Sequence, residues 1–335
     1  MNPMPHAIRI HANGTPDVMR WEGVHLPAPG PGEARIRHTA IGINYSDVNV
    51  RRGGFYLVRP PQFPLVLGNE AAGVVTEVGH GVSTVKPGER VVYAGMRGEF
   101  YEDTGAYAEE RNVPVERLIP VPPGVTDQQA AAMMVKGFTA SLIINRIFMP
   151  KAGDPVLIHA AASGVGLLLT QWSTHLGASV IGTVGSPEKA RIAERHGCKH
   201  AILYRETDFV AAVKAIAPQG VAAVFDGVGK DTFIPSFACI RPFGKAINYG
   251  NASGHVPPIE LLHLAPKSLS VCRPGLSSYI RDVATMRTAA AELFELVSKG
   301  ALQIEISRTF PLREAAAAHR EIEARSNVGS MLLIP

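Results

Sequence analysis

The chain has 335 residues, of which 46% are hydrophobic, and it carries a formal net charge of +4. This length exceeds what a single core usually serves, so we expect two domains with enough apolar residues to fill both cores. The basic residues are dispersed, which argues against a nucleic-acid-binding surface, whereas a mild positive balance suits an anionic cofactor.

The three cysteines, Cys198, Cys239 and Cys272, are an odd number without C-x-x-C spacing. They therefore predict neither a disulfide framework nor a zinc knuckle. The amino terminus has no cationic stretch followed by an apolar segment, and no run reaches the roughly 18 apolar residues of a membrane span. We expect a cytoplasmic protein that does not insert into a membrane.

The first third of the chain contains short stretches in which apolar and polar residues alternate, and these stretches are separated by glycine and proline. The clearest stretches lie at 35–41, 72–79 and 88–92. Regularly spaced turns of this kind predict an antiparallel β-barrel over about 7–121. Thr126 is a good N-cap, and it predicts a long helix that ends at about Phe148.

An apolar run at 155–159 then gives way to small residues, just before a helical pattern. Backbone N–H groups at the start of a helix bind pyrophosphate, and small residues let that ligand approach closely. The G-x-G-x-x-G spacing falls on Ala161, Ser163 and Gly166, so one glycine is in register. The residues predicted to bind the dinucleotide here are Ala162, Ser163, Gly164 and Val165.

A second apolar run, 179–183, ends roughly 20 residues past this turn, where an NAD-binding fold places a carboxylate on the ribose. No Asp or Glu closes this strand. The residues available there are Gly185, Ser186 and Lys189, with Tyr204 and Arg205 after the next run. Because a 2′-phosphate requires hydrogen-bond donors and a cation, we predict NADPH rather than NADH. The alternative for Lys189 is a solvated lysine in the first turn of a helix.

Strands and helices alternate through the rest of the chain. Further strands are predicted at 201–203, 222–226, 245–249 and 269–272. This order predicts an α/β fold with a doubly wound parallel sheet of the Rossmann type. A final helix at 313–325 and a strand at 331–334 are expected to return to the first domain. The predicted domains are therefore 1–125 with 300–335, and 126–299.

Six segments together resemble one family along essentially the whole chain and in the same order. They are 42–47, 68–73, 86–91, 159–166, 226–229 and 329–335. The chain resembles the zeta-crystallin-like quinone oxidoreductases of the medium-chain dehydrogenase/reductase superfamily. The resemblance implies a GroES-like β-barrel joined to a Rossmann domain, an active site in the cleft between the domains, and a homodimer.

The resemblance also raises the question of zinc, because relatives in this superfamily hold a catalytic metal with Cys and His ligands. Asn44 stands where the resemblance places the first Cys, and Asn69 stands where it places the His. No cysteine precedes Cys198. Without thiolate or imidazole ligands a tetrahedral zinc site cannot be assembled, so we expect a zinc-independent enzyme and not an alcohol dehydrogenase.

Without a metal, we expect hydride delivery from the nicotinamide to an acceptor that is already electrophilic, such as a quinone or a conjugated enone. Asn44 resembles a residue that forms hydrogen bonds near the nicotinamide and the substrate oxygen; the alternative is an Asn that caps a turn. The predicted catalytic residues are Asn44, Tyr45, Asp47 and Tyr56. The two tyrosines either stack on a flat acceptor, donate a proton, or only pack at the rim.

Further cofactor contacts are implied by the resemblance. Lys136 and Thr139 precede the Rossmann domain on the predicted helix and are expected on the nicotinamide side. Gly250, Asn251 and Ser253 follow a strand, and ligands of open α/β sheets bind past the carboxyl ends of strands. Arg273 is expected to contact the nicotinamide face, and Arg325 is expected to contact the adenosine phosphate. Each of these charged residues has an ordinary surface role as its alternative.

Three functions follow from these observations. The first is an NADPH-dependent quinone reductase, and the second is an enone or enoyl reductase on the same scaffold. The third is a non-catalytic NADPH-binding protein, either a crystallin or a single-stranded RNA binder. The absence of a basic stripe argues against RNA binding.

Overall fold

The computed structural model describes residues 4–53, 61–95 and 104–335. Its contacts divide the chain into two compact units. The first unit comprises Met1–Phe138, Ser277–Ser298 and Ile304–Pro335, and the second comprises Thr139–Leu276 and Lys299–Gln303. The domain limits given above, 125/126 and 299/300, stay a prediction.

The first unit is built mainly from antiparallel strands. In chain order they are β1 (His6–Ile10), β2 (Met19–Gly23), β3 (Glu33–Gly42), β4 (Leu65–Val66), β5 (Glu70–Val78), β6 (Arg90–Ala94), β7 (Glu110–Pro114), β8 (Ile119–Pro120), β15 (Ile306–Pro311) and β16 (Ser330–Ile334). One sheet has the order β2-β1-β4, and a larger sheet has the order β15-β16-β3-β5-β6-β8, with β7 paired to β3. The predicted antiparallel architecture is confirmed.

Strand β3 shows why these residues form a sheet with one buried face. Ala34, Ile36 and Ala40 are buried on alternate positions, whereas Arg37 between them is exposed. His38 also points inward, where its Nδ1 lies 2.7 Å from the Ala108 carbonyl oxygen. Burial lowers the pKa of His38 to about 4, so the ring is neutral within this core.

Eight α-helices lie between strands of the described part of the chain. They are α1 (Tyr45–Arg52), α2 (Asp127–Leu142), α3 (Gly164–His175), α4 (Pro187–Arg195), α5 (Phe209–Ile216), α6 (Leu276–Ile280), α7 (Val283–Ser298) and α8 (Ala315–Glu323). Helix α2 continues as a π-helical segment, Ile143–Ile147, so the predicted end at about Phe148 is close but the helix geometry changes. No helix of the described residues is both long and apolar enough to cross a bilayer.

Helix α1 is absent from the sequence prediction. It begins after Asn44 with a carboxylate, Asp47, in its first turn, and ends where Gly53 takes a left-handed conformation with φ 77°. A helix of this length has a weak apolar period, so the pattern that identifies longer helices does not reveal it. Its start nevertheless carries the residues on which the first candidate site depends.

The second unit contains a parallel sheet. Its strands are β9 (Pro155–His159), β10 (Ser179–Val184), β11 (Cys198–Leu203), β12 (Val221–Asp226), β13 (Ile240–Asn248) and β14 (Ser270–Cys272), in the order β11-β10-β9-β12-β13-β14. The central strands β9 and β12 are almost entirely buried, as expected for strands covered on both faces. The order reverses between β9 and β12, so the predicted doubly wound Rossmann-type sheet is confirmed.

Candidate active site and dinucleotide-binding edge

A cluster of three polar side chains lies in the first unit; we call Asn44, Glu70 and Lys136 the Asn44 cluster. The Asn44 Nδ2 donates to Glu70 Oε1 at 2.8 Å, and the Lys136 Nζ donates to the same oxygen at 3.1 Å. Lys136 Nζ also donates to Asn44 Oδ1 at 3.0 Å. All three side chains are buried, so each contact forms away from bulk water.

Glu70 reaches this position because the backbone around it leaves space. Its Oε2 accepts the Val135 N–H of α2 at 2.6 Å. A Cβ on Gly42 would lie 2.2 Å from Glu70 Oε1 and 2.4 Å from the Ala131 carbonyl oxygen. Position 42 therefore accepts no side chain without displacing either the carboxylate or the helix.

Asp47 lies behind Asn44 and has no exposed surface. Its Oδ2 accepts the Asn44 backbone N–H at 2.9 Å and the Tyr107 hydroxyl at 3.1 Å. Its Oδ1 accepts the Asn69 Nδ2 at 2.8 Å. Because both carboxylate oxygens of Asp47 accept hydrogen bonds from the protein, they hold the start of α1 and Asn69 in place.

Burial shifts the pKa of Asp47 and of two groups behind it, Tyr107 and His319. Burial raises the pKa of Asp47 to about 7, against the hydrogen bonds from Asn44 and Asn69 that lower it. Burial and the Asp47 charge raise the pKa of Tyr107 well above its usual value. The Tyr107 hydroxyl lies 3.0 Å from His319 Nε2, and burial lowers the pKa of His319 to about 3.

Sequence reasoning missed Tyr107 and His319. They are separated by 212 residues, and neither belongs to a motif, so no local signal identifies them. Among the predicted catalytic residues, Asn44 and Asp47 are brought together, and Tyr45 is half-buried at the first position of α1. Tyr56 lies outside the described residues.

The second candidate site is the carboxyl edge of the parallel sheet, which we define as the turns that follow β9 to β14. These turns contain residues 160–163, 185–186, 204–205, 227–229, 249–253 and 273. Since the strands are parallel, all these turns lie at one edge, and the edge includes the point where strand order reverses. Open α/β sheets bind their ligands at such a point.

The turn after β9 has the features of an anion-binding helix start. Ala160 takes the left-handed conformation with φ 52°, which is uncommon for a residue with a side chain and is often found at functional turns. Ser163 is the N-cap of α3, and its Oγ accepts the Gly166 N–H at 3.2 Å. A Cβ on Gly166 would lie 2.2 Å from the Ala160 carbonyl oxygen, so this turn depends on glycine there.

Ala162 is buried, and Ser163, Gly164 and Val165 are partly exposed at the same turn. The first N–H groups of an α-helix have no acceptor within the helix. A phosphate next to these residues would accept those hydrogen bonds and face the positive end of the α3 dipole.

The turn after β10 collects polar and cationic groups. Ser186 is the N-cap of α4, and its Oγ accepts the Lys189 N–H at 3.3 Å. A Cβ on Gly185 would lie 3.1 Å from the Tyr204 hydroxyl oxygen, so Tyr204 packs close to that glycine. Burial lowers the pKa of Lys189, and the positive charge of Arg205 lowers it further. Two cations held near each other favour an anionic ligand.

The turns after β12, β13 and β14 are held together by hydrogen bonds. Ser253 Oγ donates to the Val228 carbonyl oxygen at 2.9 Å. Arg273 donates to the carbonyl oxygens of Asn248 and Gly250, each at 3.2 Å. Gly250, Asn251, Ser253 and Arg273 are thus brought to one place on the carboxyl edge.

Three observations at the carboxyl edge fit a dinucleotide phosphate and its ribose. The α3 start provides backbone donors, and Lys189 with Arg205 provides positive charge. The Tyr249 hydroxyl is buried and has no hydrogen-bond partner within the described residues, although its ring packs against Gly227 at this edge. A ligand that satisfies such a group recovers part of the cost of burying it.

The remaining predicted contacts lie elsewhere in the chain. Lys136 is buried in the first unit, and Thr139 is the first residue of the second unit. Arg325 is exposed in the first unit, just after α8, with a left-handed φ of 54°. No cluster of three or more His, Cys, Asp or Glu that could hold a metal occurs among residues 4–53, 61–95 and 104–335.

Two known protein families match parts of this chain. Residues 30–123 match the alcohol dehydrogenase GroES-like domain, and residues 164–295 match the zinc-binding dehydrogenase domain. The first match falls on the antiparallel unit, and the second falls mostly on the parallel-sheet unit, with its last part, 277–295, in the first unit. The GroES-like and Rossmann parts of the fold prediction are therefore confirmed.

Relatives of known name match over nearly their whole length. A 2-haloacrylate reductase from a Burkholderia species is 42% identical, with 99% of each chain covered. A quinone oxidoreductase from Pseudomonas aeruginosa is 40% identical, with 99% of this chain and 100% of that protein covered. The chain thus spans the full extent of both proteins.

Solved structures agree with these relatives. Escherichia coli quinone oxidoreductase in complex with NADPH is 38% identical with a TM-score of 0.92, covering 98% of this chain and 100% of that one. The 2-haloacrylate reductase structure has a TM-score of 0.84 at 42% identity, covering 98% of this chain and 99% of that one. The chain belongs to the quinone oxidoreductase family of the medium-chain dehydrogenases/reductases, as its sequence motifs predicted.

Proposed function

We propose that this protein is an NADPH-dependent quinone reductase. The observation that carries the proposal is full-length similarity, at about two-fifths identity, to quinone oxidoreductases, together with a TM-score of 0.92 to one solved with NADPH. The Asn44 cluster and the carboxyl edge supply, in this chain, the polar groups that such a reaction requires.

In this proposal the phosphates of NADPH bind at the start of α3, and the 2′-phosphate binds at the turn after β10. The residues assigned to these contacts are Ala162, Ser163, Gly164, Val165, Gly185, Ser186, Lys189 and Tyr204. Gly250, Asn251, Ser253, Arg273, Thr139 and Arg325 are assigned to the ribose, the nicotinamide and the adenosine phosphate. Bound NADPH supplies the hydride.

Asn44 is the proposed contact for the oxygen of the acceptor. As an acceptor is reduced its oxygen gains negative charge, and an amide N–H that is already oriented toward it stabilises that charge without reorganisation. Asp47 is buried, so we assign it a positioning role: its carboxylate holds the backbone of Asn44 and the side chain of Asn69. Tyr45 and Tyr56 stay predicted contacts for a flat acceptor.

We propose that the reaction is independent of zinc. Asn44 and Asn69 are amides, which are poor zinc ligands, and they are already hydrogen-bonded to Glu70 and Asp47. Metal analysis of the purified protein after dialysis against a chelator tests this. Less than about one tenth equivalent of zinc with full activity supports the proposal, and activity that disappears and returns with zinc contradicts it.

A second candidate is reduction of an activated carbon–carbon double bond, which the 42% identity to a 2-haloacrylate reductase favours. Both substrates accept hydride without a strong Lewis acid, because their unsaturation is conjugated to a carbonyl or carboxylate group. The two reactions use the same cofactor and differ in the acceptor that fits beside Asn44.

Steady-state oxidation of NADPH with phenanthrenequinone, 2-chloroacrylate and a trans-2-alkenal separates these functions. The proposal expects the highest kcat/KM with the quinone. A higher kcat/KM with 2-chloroacrylate or the alkenal would establish double-bond reduction instead. NADPH binding without turnover of any of the three would favour a non-catalytic NADPH-binding protein.

We also propose a homodimer formed through the parallel sheet. Strand β14 is at the end of the sheet order, and edge strands pair readily with another copy. Large apolar side chains that precede β14 in the sequence are exposed: Phe243 is 81%, Leu261 80% and Leu262 79% accessible. Light scattering of the wild type is expected to give twice the monomer mass. The double variant Leu261→Asp with Leu262→Asp is expected to shift the measured mass toward the monomer. A monomeric wild type would contradict the proposed homodimer.

A cytoplasmic location is proposed from the cysteines. Cys198 and Cys239 are buried and all three cysteines are unpaired thiols. Proteins of oxidising compartments usually pair their cysteines. Fractionation of the native cells tests the location, and enrichment in the membrane or secreted fraction would contradict it.

A further inference from the structure

We propose that Lys136 is a positioning residue that fixes the orientation of the Asn44 amide, and that it does not contact the cofactor. This assignment differs from the nicotinamide contact that the family resemblance implies for Lys136. It rests on the proposed function in one respect: Asn44 is taken as the residue that faces the acceptor oxygen.

The hydrogen bonds of Lys136 carry the first step. A lysine ammonium has three N–H donors and no acceptor. Three protein oxygens surround the Lys136 Nζ: Ile43 O at 3.2 Å, Asn44 Oδ1 at 3.0 Å and Glu70 Oε1 at 3.1 Å. With 7% of the residue exposed and every N–H satisfied, Lys136 has no donor left for a ligand.

The charges around Asn44 carry the second step. Its Oδ1 faces the ammonium of Lys136, and its Nδ2 faces the carboxylate of Glu70 at 2.8 Å. A flipped amide would place the oxygen against the carboxylate and the NH₂ group against the ammonium, and both contacts would be repulsive. The ion pair therefore selects one of the two amide orientations.

The selected orientation leaves a donor for the substrate. The Asn44 Nδ2 has two N–H groups, and within the described part of the chain one of them is used by Glu70. The second N–H is the group we assign to the acceptor oxygen. A cation on the oxygen side of an amide polarises it, so the N–H becomes a stronger donor when negative charge develops opposite it.

The first test compares binding with turnover. Lys136→Met removes the charge at similar length, and we expect kcat with a quinone to fall about 30-fold while the NADPH dissociation constant and the quinone KM stay within about twofold. The double variant Lys136→Met with Asn44→Ala should lose no more kcat than Asn44→Ala alone, because both changes remove the same donor. A tenfold weaker NADPH affinity, or losses that multiply, would overturn the proposal.

Two further measurements remove the remaining ambiguities. Lys136→Met leaves the Glu70 carboxylate buried and unpaired, and this could destabilise the protein. The double variant Lys136→Met with Glu70→Gln buries no charge, so it separates misfolding from misorientation of the Asn44 amide. We expect this double variant to fold and to keep a low kcat. Full recovery of kcat in that double variant would contradict the proposal, since orientation needs the ammonium.

Side-chain amide NMR of Asn44, assigned by its loss in Asn44→Ala, reports the orientation without any turnover. In Lys136→Met we expect the Asn44 NH₂ signals to shift and to exchange with solvent at least tenfold faster. Unchanged signals would overturn the role of Lys136, even if the quinone activity is real. If wild type shows no quinone reduction but the signals change as expected, the proposed function fails and the positioning role stands.

Discussion

The two candidate sites of this protein are built in opposite ways. The Asn44 cluster and the groups behind it are charged or polar side chains buried in the first unit, which come from distant parts of the chain. The carboxyl edge consists of small residues, helix starts and backbone groups that follow directly after strands. One site depends on side-chain chemistry assembled by the fold, and the other on main-chain geometry encoded locally.

This contrast explains why each site tolerates different changes. A polar cluster without water is costly when one partner is lost, because the remaining groups keep their desolvation penalty. A main-chain site is insensitive to most side-chain changes but fails where a new Cβ meets the backbone. Four substitutions test the difference, two in each region.

We expect the largest effect from Gly42→Ala, in the first unit. The new Cβ would lie 2.2 Å from Glu70 Oε1 and 2.4 Å from the Ala131 carbonyl oxygen, so the Asn44 cluster must move. Overpacking of this kind costs about 3 kcal/mol of unfolding free energy. Urea unfolding and steady-state kinetics should show that loss with kcat lowered at least tenfold, while NADPH affinity, measured by fluorescence, is retained. Wild-type kcat in Gly42→Ala would contradict the role of the cluster.

Gly166→Ala is the corresponding change at the carboxyl edge. Its Cβ would lie 2.2 Å from the Ala160 carbonyl oxygen, and the turn that precedes α3 must open. We expect an NADPH dissociation constant raised about 100-fold, equivalent to roughly 2.7 kcal/mol. Calorimetric titration measures it, with NADH as a second ligand that should weaken to the same degree. Unchanged affinity for both would show that the phosphates bind elsewhere.

Asp47→Asn tests the buried carboxyl group of the first unit through pH. The pKa of Asp47 in the folded protein, about 7, lies above the value of 3.8 for a free side chain. The folded state therefore holds the proton more tightly, and the stability that Asp47 contributes is complete below about pH 4 and is lost as the pH rises through 7. Between pH 5 and 8 we expect wild type to lose about 2 kcal/mol relative to Asp47→Asn.

Denaturant unfolding of both proteins across this range measures the difference. Asn is neutral like the protonated acid, but its NH₂ group replaces an oxygen that accepts a hydrogen bond from either Asn44 or Asn69, so Asp47→Asn has a constant stability cost. The pH dependence of the difference, and not its absolute size, is therefore the quantity that reports the Asp47 pKa. The neutral His38 lowers the stability of both proteins below about pH 6.5, and it cancels in the comparison because its hydrogen bonds are to Ala108 and Tyr93 and not to Asp47. A difference that does not vary with pH would show that Asp47 is ionised throughout.

The smallest expected effect is that of Lys189→Ala at the turn after β10. We expect NADPH binding to weaken about tenfold, or 1.4 kcal/mol, while NADH affinity changes little, since the 2′-phosphate is the group that requires the cation. Lys199→Ala, at an exposed lysine in β11, is the matched control and should change neither affinity. Equal losses for both cofactors in Lys189→Ala would exclude the 2′-phosphate assignment.

Much of the second unit was predictable because its signals are contiguous. The apolar run at β9, the small residues after it and the cap at Ser163 are neighbours in the sequence, and the same holds for Ser186 and Lys189 at α4. The predicted strand limits were less accurate, since β13 begins at Ile240 and not at residue 245. The register between β12 and β13 shifts between Val221 and Ala223, so that Ile240 pairs with Val221 and Lys245 with Ala223. Such irregularities depend on the neighbouring strand and have no local signature.

In the first unit the motifs identified Asn44 and Asp47 but not what they contact. Helix α1 was missed since its eight residues have little apolar period, and Tyr107 and His319 carry no motif. The family resemblance implies a contact of Lys136 on the nicotinamide side, and the sequence alone places this residue only on a helix. Its three acceptors belong to Ile43, just after β3, to Asn44 at the start of α1 and to Glu70 on β5, and packing brings them together around the Lys136 ammonium.

The amino-acid sequence by itself determined the fold class and the family, and it predicted the phosphate-binding turn and a phosphorylated cofactor, because each of these signals comes from residues that are near one another in the chain. The tertiary structure alone decided which buried groups share hydrogen bonds, how burial shifts the pKa of Asp47, and which oxygens surround the Lys136 ammonium. Those properties depend on distance and solvent exclusion, and both arise only when remote segments pack against each other.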